Sequence, residues 1–237
     1  MITSRENEKL KLVRKLRERR WRDKLGLFVA EGEDLVDSAA SVGIEPVELL
    51  VAGDNVEAAL LAEVSALGHP ARVIGVFRRG ELPRGVVPEV GLALWRVADP
   101  GNLGTLIRAA DALGPAFVAL SPGCADPTGP RALRGSMGAV FRVPLVELDD
   151  APRPWIALVP EGGKPLADAA GVEQATFLLG AEREGLPPEL VARCDVTATI
   201  PLAPGADSLN VAMAGTIALY EHARRGARAR HPAAPQP

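Results

Sequence analysis

The chain has 237 residues, 47% of them hydrophobic and 24% charged, with a net charge of −3; that is apolar material enough for one large domain or two modest ones. Nowhere do about 18 apolar residues run together, which excludes a membrane-spanning helix. The cysteines Cys124 and Cys194 and the histidines His69, His222 and His231 lie scattered along the chain, which argues against a disulfide framework and against a metal site.

The first residues carry charge throughout and no apolar stretch, so no secretory signal is expected, and the reading is a soluble cytoplasmic protein. From Arg5 to Lys24 ten basic residues face four acidic ones, a local +6 that leaves −9 for the remainder. Local basic density of this kind suits a phosphate backbone, because each contact releases counterions. A solvated helix face is the alternative reading of the same charges. Lys11, Arg14, Lys15 and Arg17 are the candidate nucleic-acid contacts in this segment.

Residues 4–20 are predicted as one basic helix. Gly32–Val42 and Val56–Leu67 read as two further helices, the latter stopped by Gly68, with β-branched runs at Val47–Val51 and Arg72–Phe77. The stretch Arg78–Glu89 is rich in Pro, Gly and charge and reads as an interdomain linker. Beyond it, apolar runs at Gly91–Val97, Ala116–Leu120, Trp155–Val159, Thr176–Leu179 and Val196–Ile200 alternate with helical segments. Such alternation predicts an α/β domain on a mostly parallel sheet. A last helix is expected over Ser208–Arg224, capped by Asp207 or Ser208, followed by a disordered tail. The boundaries drawn are 1–84, a linker at 85–90, a second domain at 91–225 and a tail at 226–237.

Ligands of open parallel sheets bind beyond the carboxyl ends of the strands. Three loops leave strands there: ADPGNLGTLIRAADALG at 98–114, LLGAEREGLPPEL at 178–190 and IPLAPGADSLNVAMAG at 200–215. Pro100, Gly101 and Gly104 read as a tight turn, and Pro187 or Pro188 suits a helix start. Turn-making alone would explain the glycines but not Asn102, Glu182 and Asn210 as well. None of the loops is a dinucleotide or triphosphate fingerprint, and no Ser-His-Asp or Cys-His set presents itself.

These three motifs, in this order, together with SPGCADPTGPRALRGSMGAVFRVP at 121–144, resemble the SpoU (TrmH-like) class of SPOUT RNA methyltransferases. The resemblance covers about residues 91–224. The first half, through KLRERRWRDKLGLFVAEGEDLV, is similar to the small L30e-like α/β module that many of these enzymes carry. The resemblance implies a trefoil knot in the second domain, S-adenosylmethionine (SAM) as cofactor, and methylation of a ribose 2′-oxygen. It implies backbone contacts to SAM from Gly180, Ile200 and Leu209, and it puts Arg108 beside the reacting hydroxyl. Asn102, Glu182, Ser208 and Asn210 are then expected to fix Arg108 and the substrate by hydrogen bonds. Arg134 and Arg142, flanking GSMGAVF, are candidate phosphate contacts. The family also implies a homodimer, here expected through the small residues Ala212, Ala214 and Gly215 of the last helix. An L30e-like module suits ribosomal RNA better than transfer RNA, an analogy at the level of fold. Because all three loops lie in the second half, SAM binding is expected of residues 90–237 alone. Two other readings compete: an RNA-binding protein with a relic methyltransferase domain, and an unrelated α/β nucleotide enzyme.

Overall fold

The structure is a computed structural model that describes residues 1–66, 71–170, 173–206 and 208–230, the last five without their side chains. The expected stop at Gly68 and the cap at Asp207 lie outside the described residues.

The basic segment is two helices, not one: α1 (Glu8–Leu16) and α2 (Arg19–Leu25). Asn7 caps α1 by accepting from the Lys9 amide at 2.9 Å, and Leu10, Val13 and Leu16 form its buried stripe. The break at Glu18 is held by a side chain. Arg22 donates to the carbonyls of Leu16 and Arg17 at 2.8 and 2.7 Å, the acceptors that a helix end leaves unpaired.

β1 (Leu27–Glu31), α3 (Glu33–Ala40), β2 (Glu48–Val51), α4 (Ala58–Val64) and β3 (Val73–Arg78) complete the small domain. Its antiparallel sheet has the order β1-β3-β2. β1 is a strand that the sequence reading does not predict.

In the second domain come β4 (Val90–Leu94), α5 (Pro100–Leu113), β5 (Phe117–Leu120), α6 (Pro130–Ser136), β6 (Leu145–Glu147) and β7 (Trp155–Leu158). They are followed by β8 (Lys164–Pro165), α7 (Leu166–Ala169), β9 (Ala175–Leu179), α8 (Pro188–Val191), β10 (Val196–Thr199) and α9 (Val211–Arg230). The seven strands pair in the order β6-β5-β4-β9-β7-β10-β8, and every pair is parallel. The expected parallel sheet is therefore present, with two short strands, β6 and β8, that carry no sequence signal of their own. The sheet order runs outward from β4 through β5 to β6 and outward from β9 through β7 to β10. The β4/β9 junction is thus the switch point, where α/β sheets place their ligands.

α9 lies over that junction: a Cβ on Gly215 would press on Leu106 of α5, and on Leu179 and Leu92 at 3.3 and 3.4 Å. It begins at Val211, later than expected, and runs to Arg230, past the expected end at Arg224.

One apolar cluster spans both domains. Phe28 and Phe77 of the small sheet meet Phe141 of the second domain in a triangle with ring centroids 5.4 to 6.0 Å apart. Beside it a buried ion pair joins Arg22 Nη2 of α2 to Asp126 Oδ2 at 2.7 Å. The expected linker is anchored too: Leu82 is buried, and Arg79 pairs with Asp126 and Asp23 and bonds the Thr128 hydroxyl. Burial opposes ionisation of Asp126. The Thr128 hydroxyl and the charges of Arg79 and Arg22 outweigh it and hold the carboxyl below the usual range.

Candidate active site

Leu94, the last residue of β4, sits opposite Leu179, the last residue of β9, so loops 95–99 and 180–186 leave the sheet side by side. Asp99 accepts from the Asn102 amide at 2.9 Å and caps α5, with Pro100 in its first turn. The expected turn at Pro100, Gly101 and Gly104 is instead the opening of this helix. Gly104 is small for a different reason: a Cβ there would strike the Ala132 carbonyl and the Gly135 backbone of α6.

A chain of side-chain hydrogen bonds crosses all three loops. Asn102 Nδ2 donates to Glu182 Oε1 at 3.0 Å, and Asn210 Nδ2 donates to Asn102 Oδ1 at 3.1 Å. The Asp99 amide also reaches Glu182 Oε1, at 3.4 Å. Asn210 Oδ1 accepts from the amides of Ala212 and Met213 at 2.9 and 3.3 Å, so Asn210 is the cap of α9, in place of Ser208.

Arg108 and Ser208 stand outside this chain. Both are exposed, and neither bonds Asn102, Glu182 or Asn210. Arg108 lies on α5 six residues beyond Asn102, about 9 Å along the helix, on the open face with Thr105 and Ala112. The expectation that the polar residues hold Arg108 directly is therefore corrected: they hold one another.

Gly180 and Ile200 follow β9 and β10, two strands apart in the sheet and thus about 10 Å across, while Leu209 precedes the α9 cap. The 180–186 loop closes on itself, with the Gly185 amide bonded to the Ala181 carbonyl at 2.9 Å, and a Cβ on Gly180 would collide with the Gly185 backbone. The backbone groups of Gly180, Ile200 and Leu209 make no hydrogen bond to any other described residue, so they remain available to a ligand.

Arg96 lies beyond the end of β4 in the left-handed region, φ 53°, its amide donating to Ser121 Oγ at 2.9 Å.

The candidate RNA contacts divide. Lys11 is paired with Glu6 and Glu8, and Arg14 donates to the Arg5 carbonyl at 2.9 Å. Lys15 lies over Trp21, and Arg17 has no acidic partner among the described residues. Arg134 is exposed on α6 and lines a cavity of about 200 Å³ between the domains. Arg142 is committed to structure: it grips Asp111 with Nε and Nη2 at 3.1 and 2.7 Å and reaches Ser38 of the small domain at 2.6 Å. Arg22, counted among the basic residues of the segment, is buried.

Both thiols are free, Cys124 buried and Cys194 half-buried by burial that pushes its pKa up. Among the described residues no cluster of His, Cys, Asp or Glu has metal-binding geometry, and no helix is long and apolar enough to cross a membrane.

The family model described as SpoU rRNA Methylase family matches residues 89–220. The chain belongs to this family. A second family model, the MRM3-like substrate binding domain, matches residues 7–79. Over 92% of its length the chain is 31% identical to the 23S rRNA (guanosine(2553)-2′-O)-methyltransferase RlmP of Bacillus subtilis, of which 97% is covered. Among solved structures, the AdoMet-bound rRNA methyltransferase from Sinorhizobium meliloti superposes with a TM-score of 0.84 at 30% identity, covering 95% of this chain and 97% of that one. The SpoU methyltransferase AviRb from Streptomyces viridochromogenes, in complex with AdoMet, superposes with a TM-score of 0.83 at 25% identity over 94% and 99%. The SPOUT methyltransferase fold expected of the second domain is thereby shown, with SAM as the family's cofactor.

Proposed function

We propose that this protein transfers the methyl group of SAM to a ribose 2′-hydroxyl of ribosomal RNA in the cytoplasm. The Glu182–Asn102–Asn210 chain carries this reading. It ties together the three loops of the family motifs at the sheet's switch point, and the AdoMet-bound neighbours align over nearly the whole chain.

The residues present fit the cofactor. Gly180, Ile200 and Leu209 offer backbone donors and acceptors not used within the described protein, a pocket that needs no particular side chains. When bound, SAM supplies a methyl group on a positively charged sulfur, a donor strong enough that the protein has mainly to align the atoms. Arg108, exposed and without a partner among the described residues, is open to an incoming ribose and its phosphate. A guanidinium is a fixed positive charge with a planar fork of donors, so Arg108 orients the hydroxyl and stabilises developing negative charge without serving as the base. Asn102, Glu182 and Asn210 hold the loops in register around the pocket, and exposed Ser208 faces the solvent side from which RNA arrives.

The same reading includes the L30e-like module at 1–84 as the RNA-recognition domain, a trefoil knot in the second domain, and a homodimer. Of the small residues expected at its interface, Ala212 is buried within the chain and Gly215 abuts Leu106, while Ala214 is half-buried. Met213, Ile217 and Tyr220, 60%, 37% and 56% exposed, form an apolar stripe on the other face of α9, which a second copy would cover.

Mass-spectrometric mapping of ribose methylation in ribosomal RNA, from cells with and without the gene, tests the activity. One 2′-O-methyl group that disappears with the gene is the expected result; an unchanged map overturns the reading.

A further inference from the structure

Once folded, the ten cations between Arg5 and Lys24 are not equivalent. Six are held by carboxylates: Arg5 by Glu63, Lys9 by Glu48, Lys11 by Glu6 and Glu8, Arg19 by Asp23, Arg20 by Glu18 and Arg22 by Asp126. Arg14, Lys15, Arg17 and Lys24 have no carboxylate partner among the described residues. Two of these four converge on one indole: the ammonium groups of Lys15 and Lys24 lie 5.5 and 5.2 Å from the Trp21 ring centroid. Arg20 is a third cation there, at 5.7 Å.

Trp21 is only partly buried and belongs to none of the three apolar clusters among the described residues. A tryptophan kept for packing would join a core. This one is surrounded by movable cations instead, while its neighbour Arg22 points into the domain junction.

We propose that Trp21 is a stacking platform for one unpaired RNA base, with Lys15 and Lys24 taking the phosphates that flank it. The proposal deepens the RNA-methylation reading and rests on it. A base stacked on an aromatic ring is held more strongly than an exposed cation over an indole. A base therefore displaces the ammonium groups from the ring, and they gain phosphate partners in return. Position also matters. α2 is fastened through Arg22 and Asp126 to the loop that follows β5, at the same carboxyl edge of the sheet as the candidate active site. A base held at Trp21 would fix the strand with respect to that edge.

Fluorescence anisotropy of the full-length protein with a short single-stranded oligouridylate, and with a blunt RNA duplex, tests the platform. Trp21→Ala is expected to weaken oligouridylate binding about tenfold and to change duplex binding little, while Trp21→Phe keeps most of the affinity. Replacing Lys15 and Lys24 by Ala should lower the salt slope by roughly 1.4, two single-strand contacts. Unchanged oligouridylate affinity in Trp21→Ala, or an equal loss on both RNAs, overturns the proposal. Should Trp21→Ala fail to fold, indole emission decides: quenching by oligouridylate in the wild type but not in Trp21→Phe supports the platform, and equal quenching overturns it. Oligouridylate binding that depends on Trp21 in a protein with no methylation activity would sink the enzyme reading and leave the platform standing.

Discussion

Asn102 and Asn210, 108 residues apart, are joined by one hydrogen bond of 3.1 Å from Asn210 Nδ2 to Asn102 Oδ1. Each side chain has a second task, Asn102 donating to Glu182 and Asn210 capping α9. The bond therefore couples the start of α5 to the start of α9. Asn210→Asp keeps the capping acceptor and loses the donor, so its melting temperature should stay near that of the wild type while methyl transfer falls. Asn210→Ala loses both and should also be less stable, by about 1 kcal/mol. Thermal melts beside single-turnover methylation separate the two effects; full activity in Asn210→Asp would show the bond to be dispensable.

Arg108→Ala should lower the methylation rate about 10²–10³-fold, the usual loss for one contact to a developing oxyanion, with SAM binding nearly intact. Stability should not change, because Arg108 has no partner to lose among the described residues. Lysine should rescue poorly, since it lacks the planar fork of donors. Calorimetry for SAM and single-turnover kinetics on the same variant check this, and near wild-type turnover would refute the assignment.

Asp126→Asn leaves Arg22 buried without its charge partner and should cost about 3–5 kcal/mol. The folded carboxyl titrates below its unfolded value, so the folded state binds fewer protons in acid than the unfolded state does. Its contribution is present above the ordinary Asp pKa of about 3.9 and is lost as the pH falls through the depressed folded value. Urea unfolding at a series of pH values should show a steeper acid loss in the wild type than in the variant. Parallel curves would mean that Asp126 is not what makes the fold acid-sensitive.

The shared Phe28–Phe77–Phe141 core changes the expectation for the isolated second half. Residues 90–237 carry the SAM loops, yet Phe141 would lose both of its aromatic partners. The fragment should unfold at lower temperature than the full chain and bind SAM more weakly. Full-strength SAM binding by the fragment, measured by calorimetry, would show that the domains are independent.

Ile217→Glu places a charge in the exposed stripe of α9 without touching the core. Light scattering of the wild type should return about twice the chain mass of 24.9 kDa, and the variant should return the single-chain value. A monomeric wild type at micromolar concentration would remove the dimer from the proposal.

Much of the site was legible in the sequence because its signals are local. Apolar run lengths alternating with helical periods announced the parallel sheet, and Asn102, Glu182 and Asn210 stood where strands give way to helices. What those residues bond to was not legible: the sequence reading had them holding Arg108, and only the folded chain shows them holding each other. β6 and β8 were invisible because a strand of two or three residues is defined by its neighbours in the sheet, not by its own pattern. Charge misled for the same reason. Arg22 and Arg142 read like their basic neighbours until the fold brought Asp126 and Asp111 within 2.7 Å of them, while Lys15 and Lys24 have no carboxylate partner among the described residues and lie over Trp21. The small residues of α9 read as a surface for a partner until packing turned Ala212 and Gly215 inward. A residue's type and local period are written along the chain, but its partner is set by long-range contacts, and for charged and small residues the partner decides the role.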